Sequence, residues 1–150
     1  TDPDMTRFMM SLKDSVDLVL YAFTNCEQGD IFVQQSPAAT IDTLVNALKE
    51  IFNAKNKIKI MGTRHGEKKH EVLLNREEYF RSVNLGDYYR VPIDARNLNY
   101  EQYFAKGDKP LSSESEYSSD NTYRLTTDEM INLLMELDYI KDELKKGKYS

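Results

Sequence analysis

The stretch that decides the fold reads Gly29-Asp30-Ile31-Phe32-Val33, then Ser36-Pro37, then Thr40-Ile41-Asp42-Thr43-Leu44-Val45. Ile31, Phe32 and Val33 are β-branched or aromatic, too short a run for a helix and closed by a proline, so they predict a strand. Thr40 offers a side-chain oxygen to the following turn, and Ile41, Leu44, Val45, Leu48, Ile51 and Phe52 recur every three or four residues, so a helix follows. Upstream, Ser11 and Asp14 form a cap with a first-turn acid. Leu12, Val16, Val19, Leu20 and Phe23 keep helical spacing there and predict an amphipathic helix over 11–24. Downstream, Ile58-Lys59-Ile60-Met61 alternates and stops at Gly62, which predicts a second strand.

The order helix, strand, helix, strand points to an α/β fold in which helices cover a small, at least partly parallel sheet. Beyond it, 66–74 reads as a third helix, Asn75 caps a short fourth one through Val83, and Tyr88-Tyr89-Arg90-Val91-Pro92 reads as an edge strand ended by proline. From Gly107 to Asn121 the chain carries five serines and few apolar residues, the composition of an exposed loop. Thr126 with Glu129 makes a capping box, and Met130, Leu133, Leu134, Leu137 and Ile140 predict one terminal helix with Lys145 and Lys146 in its last turn. The expected organisation is an α/β domain over 1–106, a loop or flap over 107–125 and a helix over 126–150.

At 150 residues the chain has room for one domain of ordinary size. Lysine plus arginine number 20 against 25 acids, a net charge of −5, which argues against nucleic acid as the main partner. Cys26 is the sole cysteine and there are two histidines, so neither an internal disulfide nor a zinc site of thiolates and imidazoles is expected, and a reducing, cytoplasmic setting is. No apolar run approaches the ~20 residues of a membrane span, and the first residues resemble no signal peptide. With threonine in place of an initiator methionine, the sequence is expected to be a piece of something longer.

The charge is uneven. Between Asn53 and His70 lie Lys55, Lys57, Lys59, Arg64, Lys68 and Lys69 against Glu67 alone, whereas Glu114 to Glu143 holds nine acids and two bases. Within the basic stretch, Gly62-Thr63-Arg64-His65-Gly66-Glu67-Lys68 follows a predicted strand and opens a predicted helix, where free backbone N–H groups and the helix dipole favour an anion and Arg64 adds a bidentate clamp. A plain glycine-bracketed connector explains the same residues. Arg7, between Met5 and Phe8-Met9-Met10, either snorkels to water or finds an anion. His65 and His70 with Glu67 and Glu71 lack the geometry of a metal motif. Cys26 has no histidine nearby, and no Ser-His-Asp signature, Walker loop or G-x-G-x-x-G occurs.

Taken in order, Met5-Thr6-Arg7-Phe8-Met9, Gly29-Asp30-Ile31-Phe32-Val33, Pro37-Ala38-Ala39-Thr40-Ile41, Gly62-Thr63-Arg64-His65-Gly66-Glu67-Lys68 and Gly86-Asp87-Tyr88-Tyr89-Arg90 resemble the C-terminal part of bacterial capsule and O-antigen UDP-N-acetylglucosamine 4,6-dehydratases of the inverting type, also named epimerases. These belong to the extended short-chain dehydrogenase/reductase family. The resemblance implies a small substrate-binding half whose Rossmann half, with the glycine fingerprint and Tyr-x-x-x-Lys, is absent from this chain. It implies Arg7 and Arg64 as diphosphate ligands, Glu67 as acceptor for the uridine ribose, and no catalytic residue in this fragment; from the residues themselves no metal is expected. It further implies a UDP-sugar as substrate, with NADP or NAD bound by the missing half, and a homo-oligomer when full length. The alternative is a non-catalytic binding or oligomerisation module.

Overall fold

In the computed structural model, residues 1–93 and 116–147 are described. In chain order the elements are β1 (Thr6–Phe8), α1 (Leu12–Asn25), β2 (Ile31–Gln34), β3 (Ala38–Thr40), α2 (Ile41–Ile51), β4 (Val72–Leu74), α3 (Arg76–Arg81), β5 (Val83–Asn84), β6 (Tyr88–Val91), β7 (Tyr117–Ser118), α4 (Thr127–Glu136) and α5 (Asp138–Lys146). The class is mixed α/β, and the elements gather into two compact units. One comprises 1–11, 36–71 and 118–150, the other 12–35 and 72–117.

In the first unit β1 pairs antiparallel with β3, Arg7 opposite Ala39. β3 runs straight into α2, because the Thr40 hydroxyl accepts the Thr43 N–H at 3.0 Å and supplies the cap that the sequence predicts. Ala39, Ala47 and Met130 are fully buried and packed by Met9, Leu44, Leu125, Ile131, Leu133 and Leu134. The two alanines leave room for Met130, so α2 and α4 share one small core. α4 opens with the expected capping box of Thr126 and Glu129. The single terminal helix expected there is two, broken at Leu137, whose ψ of 121° is extended. Met130 and Ile140 are ten residues apart, about 80° out of phase on a straight helix. The break lets both be buried.

In the second unit β2, β6 and β5 form a three-stranded antiparallel sheet, Phe32 opposite Arg90 and Val33 opposite Tyr89. β6 is therefore the central strand, not the edge strand that its proline suggested; Pro92 lies just beyond the last paired residue, where a missing N–H costs no ladder bond. A tight turn joins β5 to β6, with Leu85 N–H donating to the Tyr88 carbonyl at 2.9 Å and Gly86 at φ 92°, and a turn that short can only reverse the chain. The β1–β3 and β2–β6–β5 ladders are antiparallel, Ala38 with Arg124 forms an isolated parallel bridge, and β4 pairs with β7 in a further two-stranded sheet. Tyr79, Tyr89 and Tyr117 cluster with ring centres 5.1 to 6.1 Å apart, and burial followed by the Tyr79 hydroxyl raises the Tyr89 phenol above its ordinary pKa. Asn75 caps α3 in a capping box with Glu78, as its spacing predicts.

Three further expectations change. Ile58–Met61 forms no strand; Ile58, Ile60 and Met61 are about half exposed or more, and among the described residues no strand edge pairs with them. Alternation alone does not hold a strand without a partner. Residues 66–74 form no helix but a turn at 65–66 followed by β4, since Gly66 sits at φ 78° and a helix cannot propagate through it. The α1 stripe Leu12, Val16, Val19, Leu20 and Phe23 faces away from the unit, 49% to 81% exposed. Its opposite face is the one that packs: Tyr21 stacks on Tyr88 at 4.4 Å and meets Phe32 edge-on at 5.7 Å. Of the loop expected over 107–125, residues 107–115 lie outside the described residues. Tyr117, Ser118 and Ser119 are buried, because Ser119 N–H donates to the Glu71 carbonyl at 2.8 Å and draws that segment in.

Candidate functional site

The three sequence-singled residues Arg7, Arg64 and Glu67 all fall in the first unit, on β1 and on the turn that follows Gly62. Glu67 N–H donates to the Arg64 carbonyl at 3.1 Å, closing a four-residue turn whose third position, Gly66, has the positive φ that such a turn requires. The Glu67 carboxylate folds back on the same turn: one oxygen accepts the Arg64 N–H at 3.0 Å and the other the Thr1 hydroxyl at 3.0 Å. Those bonds, the Arg64 N–H foremost, hold its pKa below the ordinary 4.5, and the Arg7 guanidinium contributes through its charge. Glu67 is thereby a carboxylate at neutral pH and the fastener of the turn. Because 66–74 is not helical, the dipole argument for an anion at this turn falls away, and what remains is the positive charge of its side chains.

Arg7 neither snorkels nor stands free. Its guanidinium donates to the carbonyls of Thr6 at 2.7 Å, Lys69 at 3.3 Å and Lys68 at 3.0 Å, with Met5 Sδ at 3.7 Å and Glu71 Oε1 at 3.7 Å from Nε. Most of its planar fork is thus committed to the backbone of 68–69, which it ties to β1 together with the Thr6 N–H on the Lys69 carbonyl at 3.0 Å. Arg64 differs: its side chain is exposed and, among the described residues, makes no hydrogen bond or ion pair, so its five donors are open to a ligand. Lys68 and Lys69 are exposed beside it.

Behind this turn lies a hydroxyl network that local sequence reading does not reveal. Thr6 Oγ1 lies 2.7 Å from His70 Nδ1 and 2.6 Å from Ser119 Oγ, and Ser119 Oγ accepts the Glu71 N–H at 2.9 Å. Thr6 and Ser119 are almost fully buried, so the network fixes the end of the basic segment from within. In the second unit Arg90 was likewise missed. It bonds Asp30 at 2.7 Å and Glu27 at 3.0 Å, and Asp30 is held below its ordinary pKa first by the Glu27 N–H and then by Arg90. Sixty residues separate the pair, and no local spacing signals it.

Residues 1–93 match the family described as polysaccharide biosynthesis protein, and 94–141 match the family described as its C-terminal region. The chain belongs to the polysaccharide biosynthesis protein family. Among curated relatives, a protein of Rickettsia bellii named UDP-glucose 4-epimerase is 57% identical over 98% of this chain, and one of Rickettsia rickettsii with the same name is 56% identical. The chain spans 43% of the length of each. A solved structure, that of Pen from Bacillus thuringiensis, is similar over 91% of this chain and 38% of its own, with a TM-score of 0.70 and 26% identity. Among the described residues no helix is long and apolar enough to cross a membrane.

Proposed function

We propose that this chain is the nucleotide-sugar-binding part of a UDP-sugar epimerase or dehydratase of polysaccharide biosynthesis, and that Arg64 is its principal diphosphate ligand. The observation that carries this reading is the turn of 62–67, which presents an uncommitted guanidinium in a run of lysines. The relatives' name supplies the nucleotide class. Arg7 and Glu67 act with Arg64 in different ways. Arg7 holds the backbone on which Lys68 and Lys69 stand and adds positive charge. Glu67 fixes the turn, and each of its oxygens keeps a second lone pair for a ribose hydroxyl.

The sugar is UDP-N-acetylglucosamine on the motif resemblance and UDP-glucose on the relatives' names; the two share the UDP that this site addresses. The implied NADP or NAD does not fit the described residues. Among the described residues β3 runs into α2 and β4 into α3 without a glycine turn, Thr40 and Asn75 already fill the caps, and Asp42, Glu77 and Glu78 in the first turns repel phosphate. On this reading the nicotinamide cofactor and the groups that move hydride and proton lie in the greater length that the relatives have. This chain contributes binding and orientation.

Calorimetric titration with UDP tests the site. Arg64→Ala removes charge-assisted hydrogen bonds of about 1.5–3 kcal/mol each and is expected to weaken UDP binding at least about tenfold, with partial recovery in Arg64→Lys, which keeps the charge but loses the fork. Unchanged affinity in Arg64→Ala rejects the site. Titration with UDP-glucose against UDP-N-acetylglucosamine decides the sugar.

A further inference from the structure

The fold treats the two ring nitrogens of His70 differently. Nδ1 lies 2.7 Å from the buried Thr6 hydroxyl, while the side chain is 30% exposed and Nε2 makes no hydrogen bond among the described residues. Which nitrogen carries the proton follows from counting hydrogens. Ser119 Oγ already accepts the Glu71 N–H, and it lies 2.6 Å from Thr6 Oγ1 and 3.2 Å from the Thr6 carbonyl. A carbonyl can only accept, so the Ser119 O–H fills that contact, the Thr6 O–H turns to Ser119 Oγ, and Thr6 Oγ1 is left to accept from Nδ1–H. The reverse order, Ser119 to Thr6 to Nδ1, leaves the 3.2 Å contact without a hydrogen. The Asp120 carboxylate, 3.6 Å from Nδ1, favours the first order, since it attracts an N–H there and repels a lone pair.

From this order we infer that His70 is held as the Nδ1–H tautomer, and that its bare Nε2 is a further ligand-binding group of the nucleotide site, an acceptor for a sugar hydroxyl. An imidazole whose Nδ1 faces a buried hydroxyl turns Nε2 away from it. β1 brings this acceptor to the site: the Thr6 N–H and the Arg7 guanidinium both hold the Lys69 carbonyl, and the charge of Arg7 also acts on Glu67. Arg64, Lys68 and Lys69 can only donate hydrogen bonds, so they suit phosphate oxygens and leave a hydroxyl hydrogen without a partner. Glu67 and Nε2 are the acceptors this segment offers beside them. The inference rests on the reading of the 62–67 turn as the diphosphate site.

The test reads the tautomer first. A long-range proton–nitrogen correlation spectrum of the chain at about pH 9 is expected to show a protonated Nδ1 and a bare Nε2 for His70, and the opposite preference for exposed His65, the other histidine. Ser119→Ala removes the acceptor of the Thr6 O–H, which then turns to Nδ1, and is expected to move the His70 proton to Nε2. Binding is read by calorimetric titration of His70→Asn, whose amide stands in for Nδ1–H and carries nothing at Nε2. Its unfolding midpoint is expected to stay within about 2 °C of wild type, while its affinity for UDP-glucose falls about threefold or more. An equal loss for UDP assigns the hydroxyl to the ribose, and a loss confined to UDP-glucose assigns it to the hexose. The wild-type Nε2 resonance is expected to shift when UDP-glucose is added, and an unmoved one overturns the acceptor whatever the stability of the variant. A bare Nδ1 in the wild-type chain overturns the proposal, as does unchanged affinity of His70→Asn for both nucleotides. Arg64→Ala separates the two failures: a loss there with none in His70→Asn overturns the Nε2 acceptor alone, whereas no loss in either overturns the diphosphate site with it.

Discussion

Arg7 shows how a residue picked out for ligand binding takes up structural work that its neighbours in sequence do not disclose. The sequence marks it as a charge within Met5–Met10 that must find a partner; the partners are carbonyls some sixty residues away. Arg7→Ala is expected to destabilise the chain by about 1–3 kcal/mol by leaving those carbonyls without a charged donor, and to increase amide exchange at 69–71. Its effect on UDP affinity is expected to be smaller than that of Arg64→Ala, a comparison that separates a scaffold from a ligand. Glu67 makes a pH prediction. Its folded pKa lies below 4.5, so the unfolded chain takes up its proton first. The stabilisation is present in full above the unfolded value and is lost as pH falls through the folded one. Glu67→Gln is expected to lower the unfolding midpoint at pH 7, and the gap to wild type is expected to narrow as the solution is acidified from about pH 5 to pH 3. A gap independent of pH would mean that the carboxylate does not fasten the turn through its charge. The sequence singles out Arg7, Arg64 and Glu67 for one diphosphate site, but what each of them touches depends on which backbone groups the fold brings alongside, and no local spacing discloses that.

At the scale of elements, helices with strong end signals were legible and short strands were not. Thr40, Asn75 and Thr126 each cap the helix that their spacing announces, because a capping hydrogen bond is satisfied within four residues. Thr126→Ala is accordingly expected to cost about 1 kcal/mol, and Met130→Ala, which empties the centre of the α2–α4 core, about 2–5 kcal/mol, both measured by urea denaturation. Equal losses would place the stability of α4 in its cap and not in its packing. The misread elements have a common cause. Ile58–Met61 has the alternation of a strand and no edge to join, while β1, β4, β5 and β7 are two or three residues long and carry too little pattern to detect. For α1 the periodicity was right and the inference from it inverted, since spacing reveals an apolar face but not what meets it.

At the scale of the whole chain, the two units are each assembled from separated segments, so contacts such as Thr6 with Ser119, 113 residues apart, lie beyond any local reading. The same scale governs activity. On the proposed reading the turn of 62–67 supplies charge for a diphosphate, while the full sequence holds neither G-x-G-x-x-G nor Tyr-x-x-x-Lys. Binding energy by itself accelerates nothing unless it positions a substrate against groups that move hydride and proton. The 150-residue chain is therefore expected to bind UDP-sugars and yet yield no product from UDP-glucose or UDP-N-acetylglucosamine when NAD or NADP is added, as followed by chromatography of the nucleotide sugars against a protein-free control. A chimera that joins this chain to the part of the Rickettsia bellii relative outside the match is expected to turn over at least one of them and to lose that turnover with Arg64→Ala, chiefly through KM if the arginine serves to hold the diphosphate. Product from the short chain would place catalytic groups among residues here assigned to binding. A chimera whose turnover is indifferent to Arg64 would move the diphosphate elsewhere.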